Sequence, residues 1–299
     1  MREYRLTEPC SFQTPAKVNL HLYVQGKRPD GYHDLELDLV PISLFDQIEL
    51  LPFPDEGFWF LCEPELCPPE ENLVVRAVRR LEQKIGAQFS FALKLTKHIP
   101  SGAGLGGGSG NAAGILSVLN QVFTLELAPS LLQELALELG ADVPFFLDPK
   151  PQRATGVGAE FADLDGLTPW HLLLVKPELH ISTAQAYKAC EHSRRSLPPG
   201  PYNPKVIEQI STKNNDFFAP LSTQFPELIN IRDHLKATDP VAVQFSGSGS
   251  VLYGIYATEE QRDKARDQFQ GTGETYPAQM LLSHRYLPPP LEGIQRGLV

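Results

Sequence analysis

Residues 99–113 read Ile-Pro-Ser-Gly-Ala-Gly-Leu-Gly-Gly-Gly-Ser-Gly-Asn-Ala-Ala. Six glycines (Gly102, Gly104, Gly106, Gly107, Gly108 and Gly110) leave backbone N–H groups uncovered by side chains. They also permit the positive φ angles that turn several amides inward. A strand-like segment, Phe89–Lys97, comes before the run, and an apolar, alanine-bearing helical stretch follows it. Strand, glycine loop and helix in that order form a cradle for phosphate. The helix start adds unpaired N–H groups and the positive end of its dipole. A polyphosphate is the guest this predicts. A flexible linker would not be bracketed so tightly by a strand and a helix.

Two other positions stand out. Lys17 interrupts an otherwise apolar strand pattern, and Asn19, two residues on, shares its face. Asp142 follows a helix-ending glycine and precedes Pro144, an element boundary from which a carboxylate reaches a cleft.

Known phosphate loops narrow the choice. A Walker loop ends in Gly-Lys-Ser/Thr, whereas this one ends in Gly108-Ser109-Gly110 without a lysine. A dinucleotide fingerprint matches nominally at Gly102, Gly104 and Gly107. It requires a second strand carrying an acidic residue some way on. Glu126 is near that distance, but Thr124–Leu127 is too short for a strand and runs into another helix.

The elements around these residues are mixed. Ser11–Val24 and Asp34–Leu50 alternate as strands, joined by the turn signal Arg-Pro-Asp-Gly within Gly26–Gly31. Phe58–Cys62 is a short strand. Glu70–Gly86 has helical spacing, with Leu73, Val74, Ala77, Val78, Leu81 and Ile85 on one face and Asn72 as a cap. Helices are predicted over Asn111–Phe123 and over Ser130–Leu139, the second capped by Ser130 and ended by Gly140. Further on come strand Leu172–Val175, helix Thr183–Cys190, a Pro/Gly-rich loop at Ser196–Pro204 and helix Pro226–Lys236. Strands Val241–Phe245 and Val251–Tyr256 then flank a second glycine turn, Ser246–Ser250. Helix Thr258–Gln270 and a proline-bearing surface tail, Pro288–Val299, close the chain. Strands and helices come in clusters and do not alternate strictly, which predicts an α+β fold.

Composition sets the outer bounds. The 299 residues are 42% hydrophobic and 21% charged, ordinary for a globular protein, and the length suggests two domains. A net charge of −10 argues against a nucleic-acid surface, which needs basic residues. Met1–Pro9 is polar and unlike a signal peptide, and no apolar run is long enough to span a bilayer. The four cysteines (Cys10, Cys62, Cys67 and Cys190) match no zinc spacing and read as free thiols of a reducing cytoplasm, with a Cys62–Cys67 pair as the alternative. No structural metal site is expected.

Three segments in order carry a resemblance. Pro15–Leu20 looks like motif 1 of the GHMP kinases, Pro100–Ala113 like motif 2, and Phe245–Ser250 like motif 3. That superfamily includes galactokinase, homoserine kinase and mevalonate kinase. Gly26–His33, the long glycine run before Ser109, and Leu139–Phe146 closely resemble one branch of it. That branch phosphorylates the 2-hydroxyl of 4-diphosphocytidyl-2-C-methyl-D-erythritol in the non-mevalonate route to isoprenoid precursors.

The resemblance covers roughly residues 12–256 and implies a two-domain fold. Residues 1–160 would be an ATP-binding domain like domain 2 of ribosomal protein S5, and residues 161–299 a ferredoxin-like α/β sandwich. It implies Asp142 as general base and Lys17 as its partner. ATP would bind Pro100, Gly102, Gly104, Leu105, Gly106, Gly107, Gly108, Ser109, Gly110 and Asn111. Substrate contacts would come from Asn19, Thr183, Gly247 and Ser248. His33 would read the cytosine edge, and Tyr32 and Tyr187 would sandwich its ring.

The implied co-substrate is ATP with Mg²⁺. The implied partners are small molecules only, with no nucleic acid and no membrane, and the chain is expected to be a monomer or weak homodimer. One departure stands out. Relatives carry two adjacent serines after the glycine run, and here Gly110 holds the second place. No protein ligand for Mg²⁺ is therefore assigned. The competing readings are a mevalonate- or homoserine-type kinase and a catalytically weakened nucleotide-binding homologue. Asn215-Asp216-Phe217 resembles a further family segment to which the sequence assigns no chemistry.

Overall fold

Two long strands organise the chain, β2 (Cys10–Lys27) and β3 (His33–Leu51), paired as one antiparallel hairpin. In the computed structural model, which describes residues 2–29, 31–55, 57–190 and 214–286, they belong to a seven-stranded sheet. Its other strands are β1 (Arg2–Arg5), β4 (Phe58–Glu63), β5 (Ala87–Thr96), β6 (Gln152–Gly156) and β7 (Glu160–Asp163). The second sheet has four strands in the order β11–β8–β10–β9. They are β8 (His171–Lys176), β9 (Ala242–Phe245), β10 (Leu252–Tyr256) and β11 (Glu274–Gln279). All four strands of the second sheet pair antiparallel.

Three helices cover the first sheet: α1 (Leu73–Ile85), α2 (Gly107–Val122) and α3 (Pro129–Leu139). Their apolar faces, including Val74, Val78, Leu116 and Leu135, are fully buried in one core with Phe89, Phe91 and Leu93 of β5. On the second sheet, α6 (Glu227–Lys236) and α7 (Glu259–Gln268) lie over β8 and β10, with α4 (Thr183–Cys190) and α5 (Phe218–Gln224) beside them.

The β2–β3 hairpin serves two cores. Phe12, Leu22, Val24, Leu35, Leu37 and Leu39 face the helix-covered core. Ala16, Val18, Leu20, Val40 and Ile42 instead pack with Leu172, Leu174, Tyr253 and Ile255 of the second sheet. The change of side follows from register shifts between Pro15 and Ala16 and between Asn19 and His21. A bulge flips which face a run of alternating residues presents. Between these shifts, Lys17 and Asn19 point away from the inter-sheet core. The hairpin thus joins the two sheets and carries polar residues at their junction.

The α+β expectation holds, and most elements lie where periodicity puts them. The differences have local causes. α1 starts at Leu73, after a 3₁₀ turn at Pro69–Glu71, with Asn72 capping it by accepting from Val74 N–H at 3.0 Å. Gly86 ends it in the left-handed region at φ 65°. α2 starts at Gly107 rather than Asn111, so half of the glycine run is its first turn. α3 begins with Pro129 at its first turn and Ala128 in the cap position, so Ser130 is not the cap. Ser182 caps α4: its Oγ accepts from Gln185 N–H at 3.2 Å.

The short elements β1, β6, β7, β11 and α5 carry too little periodicity to be read. All four cysteines are free thiols. Among the described residues, no helix is long and apolar enough to cross a membrane. The expected loop Ser196–Pro204 and tail Pro288–Val299 lie outside the described residues.

The inter-sheet core can be tested at Leu174, which is fully buried in it. Leu174→Ala is expected to lower the unfolding free energy by about 2–5 kcal/mol, read as a lower urea midpoint at unchanged slope. A loss below about 1 kcal/mol would mean that the two sheets do not pack as described.

Candidate active site

The glycine run divides into two parts. Gly102, Gly104 and Gly106 adopt φ +64°, +75° and +69°. This is the left-handed region that glycine enters without strain. Gly107, Gly108 and Gly110 are helical. Gly106 occupies the N-cap position of α2, and no side chain caps the helix. The N–H groups of the first turn therefore point out of the helix end, where the dipole favours an anion.

The loop is stitched to both sheets. Lys17 N–H donates to Leu105 O at 2.9 Å from β2. From the second sheet, Ser246 Oγ donates to Gly104 O at 3.0 Å and Val251 N–H to Ala103 O at 3.3 Å. A Cβ on Gly104 would lie 2.1 Å from Ser246 O, so only glycine fits beneath the second glycine turn. Asp46, fully buried on β3, accepts from His98 N–H and Ile99 N–H at 2.8 Å each and pairs with Lys97 Nζ.

Lys17 sits beneath this loop with its side chain 3% exposed. Its Nζ donates to Asn19 Oδ1 at 2.8 Å and stands 3.6 Å from Asp142 Oδ2, whose side chain is 45% exposed. The pair therefore has a buried cation and a carboxylate open to the cleft. Asn19 Oδ1 also accepts from Gly247 N–H at 2.9 Å. Asn19 Nδ2 is buried with no partner among the described residues. Buried donors rarely stay unpaired, so this amide is available to a bound oxygen.

A cleft of about 850 Å³ opens over the pair. Lys17, Asp142 and all the expected ATP contacts except Gly110 line it, and so do Asn19, Tyr32, His33, Thr183, Tyr187, Gly247 and Ser248. Gly110 is a correction. It is buried on the opposite side of α2, where a Cβ would lie 2.9 Å from Pro15 O and 3.4 Å from the Phe146 ring. Its role is close packing of α2 on β2.

The aromatic end brings Tyr32, His33 and Tyr187 to the same cleft. His33 and Tyr187 stack on each other with centroids 4.6 Å apart and an interplanar angle of 20°. That spacing leaves no slot between these two rings. Phe217 meets the Tyr187 ring edge-on at 5.0 Å. Tyr32 is 65% exposed at the rim. Burial, and secondarily the charge of Asp142, pushes the Tyr187 phenol up to about 12, so it stays a neutral donor near pH 7. Thr183 and Ser248 hydroxyls hydrogen-bond each other at 3.2 Å across the cleft mouth.

Several contributors were not legible in the sequence. Lys97 lines the cleft at the end of β5, and a Cβ on Gly107 would lie 3.2 Å from its Nζ. Its only signal was a position just before Ile99-Pro100. Asn72 and Leu73 form the far end of the cleft together with Leu66, Cys67 and Glu71. Val74, Val78 and Leu81, further along the same helix, are in the core. The dinucleotide reading is excluded by topology: after α2 the chain turns at Thr124 and Glu126, with φ 48° and 54°, directly into α3. Among the described residues no three His, Cys, Asp or Glu side chains converge as a metal site.

Comparison with known proteins places the chain in a family. The family pattern of the GHMP kinases N terminal domain matches residues 72–148, and that of the GHMP kinases C terminal matches 204–275. A Chlorobium chlorochromatii protein named 4-diphosphocytidyl-2-C-methyl-D-erythritol kinase is 38% identical over 269 residues, covering 87% of this chain and 93% of its own. A crystal structure of 4-(cytidine 5'-diphospho)-2C-methyl-D-erythritol kinase superposes with TM-score 0.79 at 32% identity, covering 91% of this chain and 99% of the other. The L. major mevalonate kinase structure in complex with R-mevalonate shares the fold at TM-score 0.67, with 14% identity over 94% of this chain and 98% of its own.

Gly110 offers a direct test of this geometry. Restoring a second serine, Gly110→Ser, forces its Cβ against the Pro15 carbonyl. It is expected to lower stability by about 1–3 kcal/mol without raising affinity for nucleotide. Tighter ATP binding at unchanged melting temperature would place residue 110 in the cleft after all.

Proposed function

The chain belongs to the GHMP kinases, an ATP-dependent family of small-molecule kinases, and from that premise we propose that it transfers the γ-phosphate of ATP to the 2-hydroxyl of 4-diphosphocytidyl-2-C-methyl-D-erythritol. The observation that carries the reading is the Lys17–Asp142 pair at 3.6 Å beneath a glycine loop whose helix end is uncapped. Identity of 35–38% over most of the chain to relatives bearing that name supports the choice of substrate.

The chemistry follows from charge. Phosphoryl transfer asks a protein mainly for positioning and for stabilisation of charge on the transferred group. In the proposed reaction the loop amides and the first turn of α2 hold the β- and γ-phosphates. Asp142 accepts the proton of the substrate hydroxyl as its oxygen bonds to the γ-phosphorus and the bond to the β-phosphate oxygen breaks, releasing ADP. Lys17, held by Asn19, positions the Asp142 carboxylate and offsets negative charge near the reacting oxygens. The unpartnered Asn19 amide donates to the substrate. Mg²⁺ entering with ATP would supply further neutralisation of the phosphates, with Ser109 the oxygen donor nearest the helix start and phosphate oxygens and water completing its shell. The base of ATP fits the end bounded by Leu66, Cys67 and Leu73.

The cytidyl group fits the opposite end. His33 offers ring nitrogens for a pyrimidine edge, and the exposed Tyr32 ring offers a face. Mevalonate or homoserine has no base to use such a wall.

An ADP-release assay with Mg-ATP distinguishes these readings. Turnover on the cytidyl substrate should far exceed that on mevalonate or homoserine; equal or greater turnover on either of the latter would overturn the substrate assignment. Asp142→Asn should reduce kcat by about 10²–10⁴-fold with the ATP dissociation constant nearly unchanged. Near-normal kcat in that variant would remove Asp142 from proton transfer. His33→Ala should chiefly raise KM for the cytidyl substrate, and an unchanged KM would count against base recognition there.

A further inference from the structure

Asn215, in a segment that the reaction above leaves without a task, has every polar atom of its side chain engaged. It is 5% exposed. Its Nδ2 donates to Phe245 O at 2.9 Å and to Gly247 O at 2.8 Å, and its Oδ1 accepts from Phe217 N–H at 3.0 Å. The flanking backbone is fastened to β2: Leu22 N–H donates to Asn214 O at 3.1 Å, Asp216 N–H to Leu22 O at 2.9 Å, and Val24 N–H to Asp216 Oδ2 at 2.8 Å. The segment thus hangs on the strand that carries Lys17 and reaches across to the glycine turn of the second sheet.

The two carbonyls it holds flank one peptide, the 246–247 amide. That amide's N–H donates to Asn19 Oδ1 at 2.9 Å, the same oxygen that accepts from Lys17 Nζ at 2.8 Å. Gly247 has φ +55° and no side chain to restrain it. The turn closes on itself through Gly249 N–H to Ser246 O and Ser246 N–H to Val251 O, both at 3.0 Å, but neither bond fixes the Gly247 amide. Without Asn215, two buried carbonyls would lose a donor, and the direct restraint on the peptides either side of the 247 amide would be gone.

We propose that Asn215 is a positioning residue for phosphoryl transfer. Through the carbonyls of Phe245 and Gly247 it aims the Gly247 amide at Asn19, and Asn19 in turn holds the Lys17 ammonium beside Asp142. The proposal rests on the kinase reading for its activity readout, and on the geometry of the turn for a second, substrate-free one.

The test is a double-mutant cycle. Asn215→Ala, Asn19→Ala and the double variant are compared with wild type for kcat, KM and melting temperature. Asn215→Asp, which keeps the side-chain volume but loses both donated bonds, stands in if the alanine variant does not fold. Asn215→Ala should lower kcat about 10- to 100-fold in the wild-type background and by less than about 3-fold in the Asn19→Ala background, with the same drop in melting temperature in both. Losses that multiply independently would reduce Asn215 to a fold-stabilising residue and overturn the proposal. In the absence of substrate, hydrogen exchange at residues 246–250 should quicken in the Asn215 variant; unchanged protection would likewise overturn it. A wild-type enzyme inactive on the cytidyl substrate would defeat the substrate reading alone, since the exchange result stands apart from it.

Discussion

One ammonium group, almost wholly withdrawn from water, governs the arrangement. Burying a lysine cation costs several kcal/mol unless charge and hydrogen bonds offset it. Lys17 meets that cost with Asn19 Oδ1 on one side and the Asp142 carboxylate on the other. Asn19 is in turn held twice from the second sheet: the Tyr253 hydroxyl donates to its backbone O at 2.6 Å and the Gly247 amide to its side chain. The cation's own partners come from β2 and from the segment after α3, and the second sheet holds the first of them, Asn19, in place, so the reacting centre depends on the two sheets meeting.

The same logic explains the irregular hairpin. A regular β2–β3 ladder would present one continuous apolar face to one core. The register shifts at Pro15/Ala16 and Asn19/His21 turn the middle of the hairpin toward the second sheet and its polar side toward the cleft. The glycines then divide by task. Gly104 is bare because the Ser246 carbonyl lies against it, Gly110 because Pro15 does, and Gly106 because the chain must turn left-handed into an uncapped helix. A single run of six similar residues thus combines anion binding with two separate packing contacts.

At the substrate end the chain fills its own aromatic wall. The His33–Tyr187 stack buries two faces that would otherwise be wet, and Phe217 closes the edge. Aromatic pairs of this kind gain about 0.5–1.5 kcal/mol beyond the area they bury. A base entering here would meet a preassembled ring surface, with the exposed Tyr32 beside it.

What the sequence determined by itself was local. Glycines after a strand and before an alanine-rich stretch specify a phosphate loop, alternating Leu35, Leu37 and Leu39 specify a strand, and Asn72 and Gly86 bound a helix, because these signals act within a few residues. The ordered motifs carried the family and with it the pairing of Lys17 with Asp142. Tertiary structure alone decided which side of α2 Gly110 faces, that Asn215 grips the distant glycine turn, that Asp46 anchors Ile99 and that His33 lies on Tyr187. Each of these depends on contacts between residues far apart in the chain. Neither residue type nor period encodes such contacts, since a carbonyl 2.9 Å from a missing methyl leaves no mark on composition. The active cation shows the division most plainly. Its position in the sequence could be read, but its burial, its partners and its reach were set by two sheets closing on one strand.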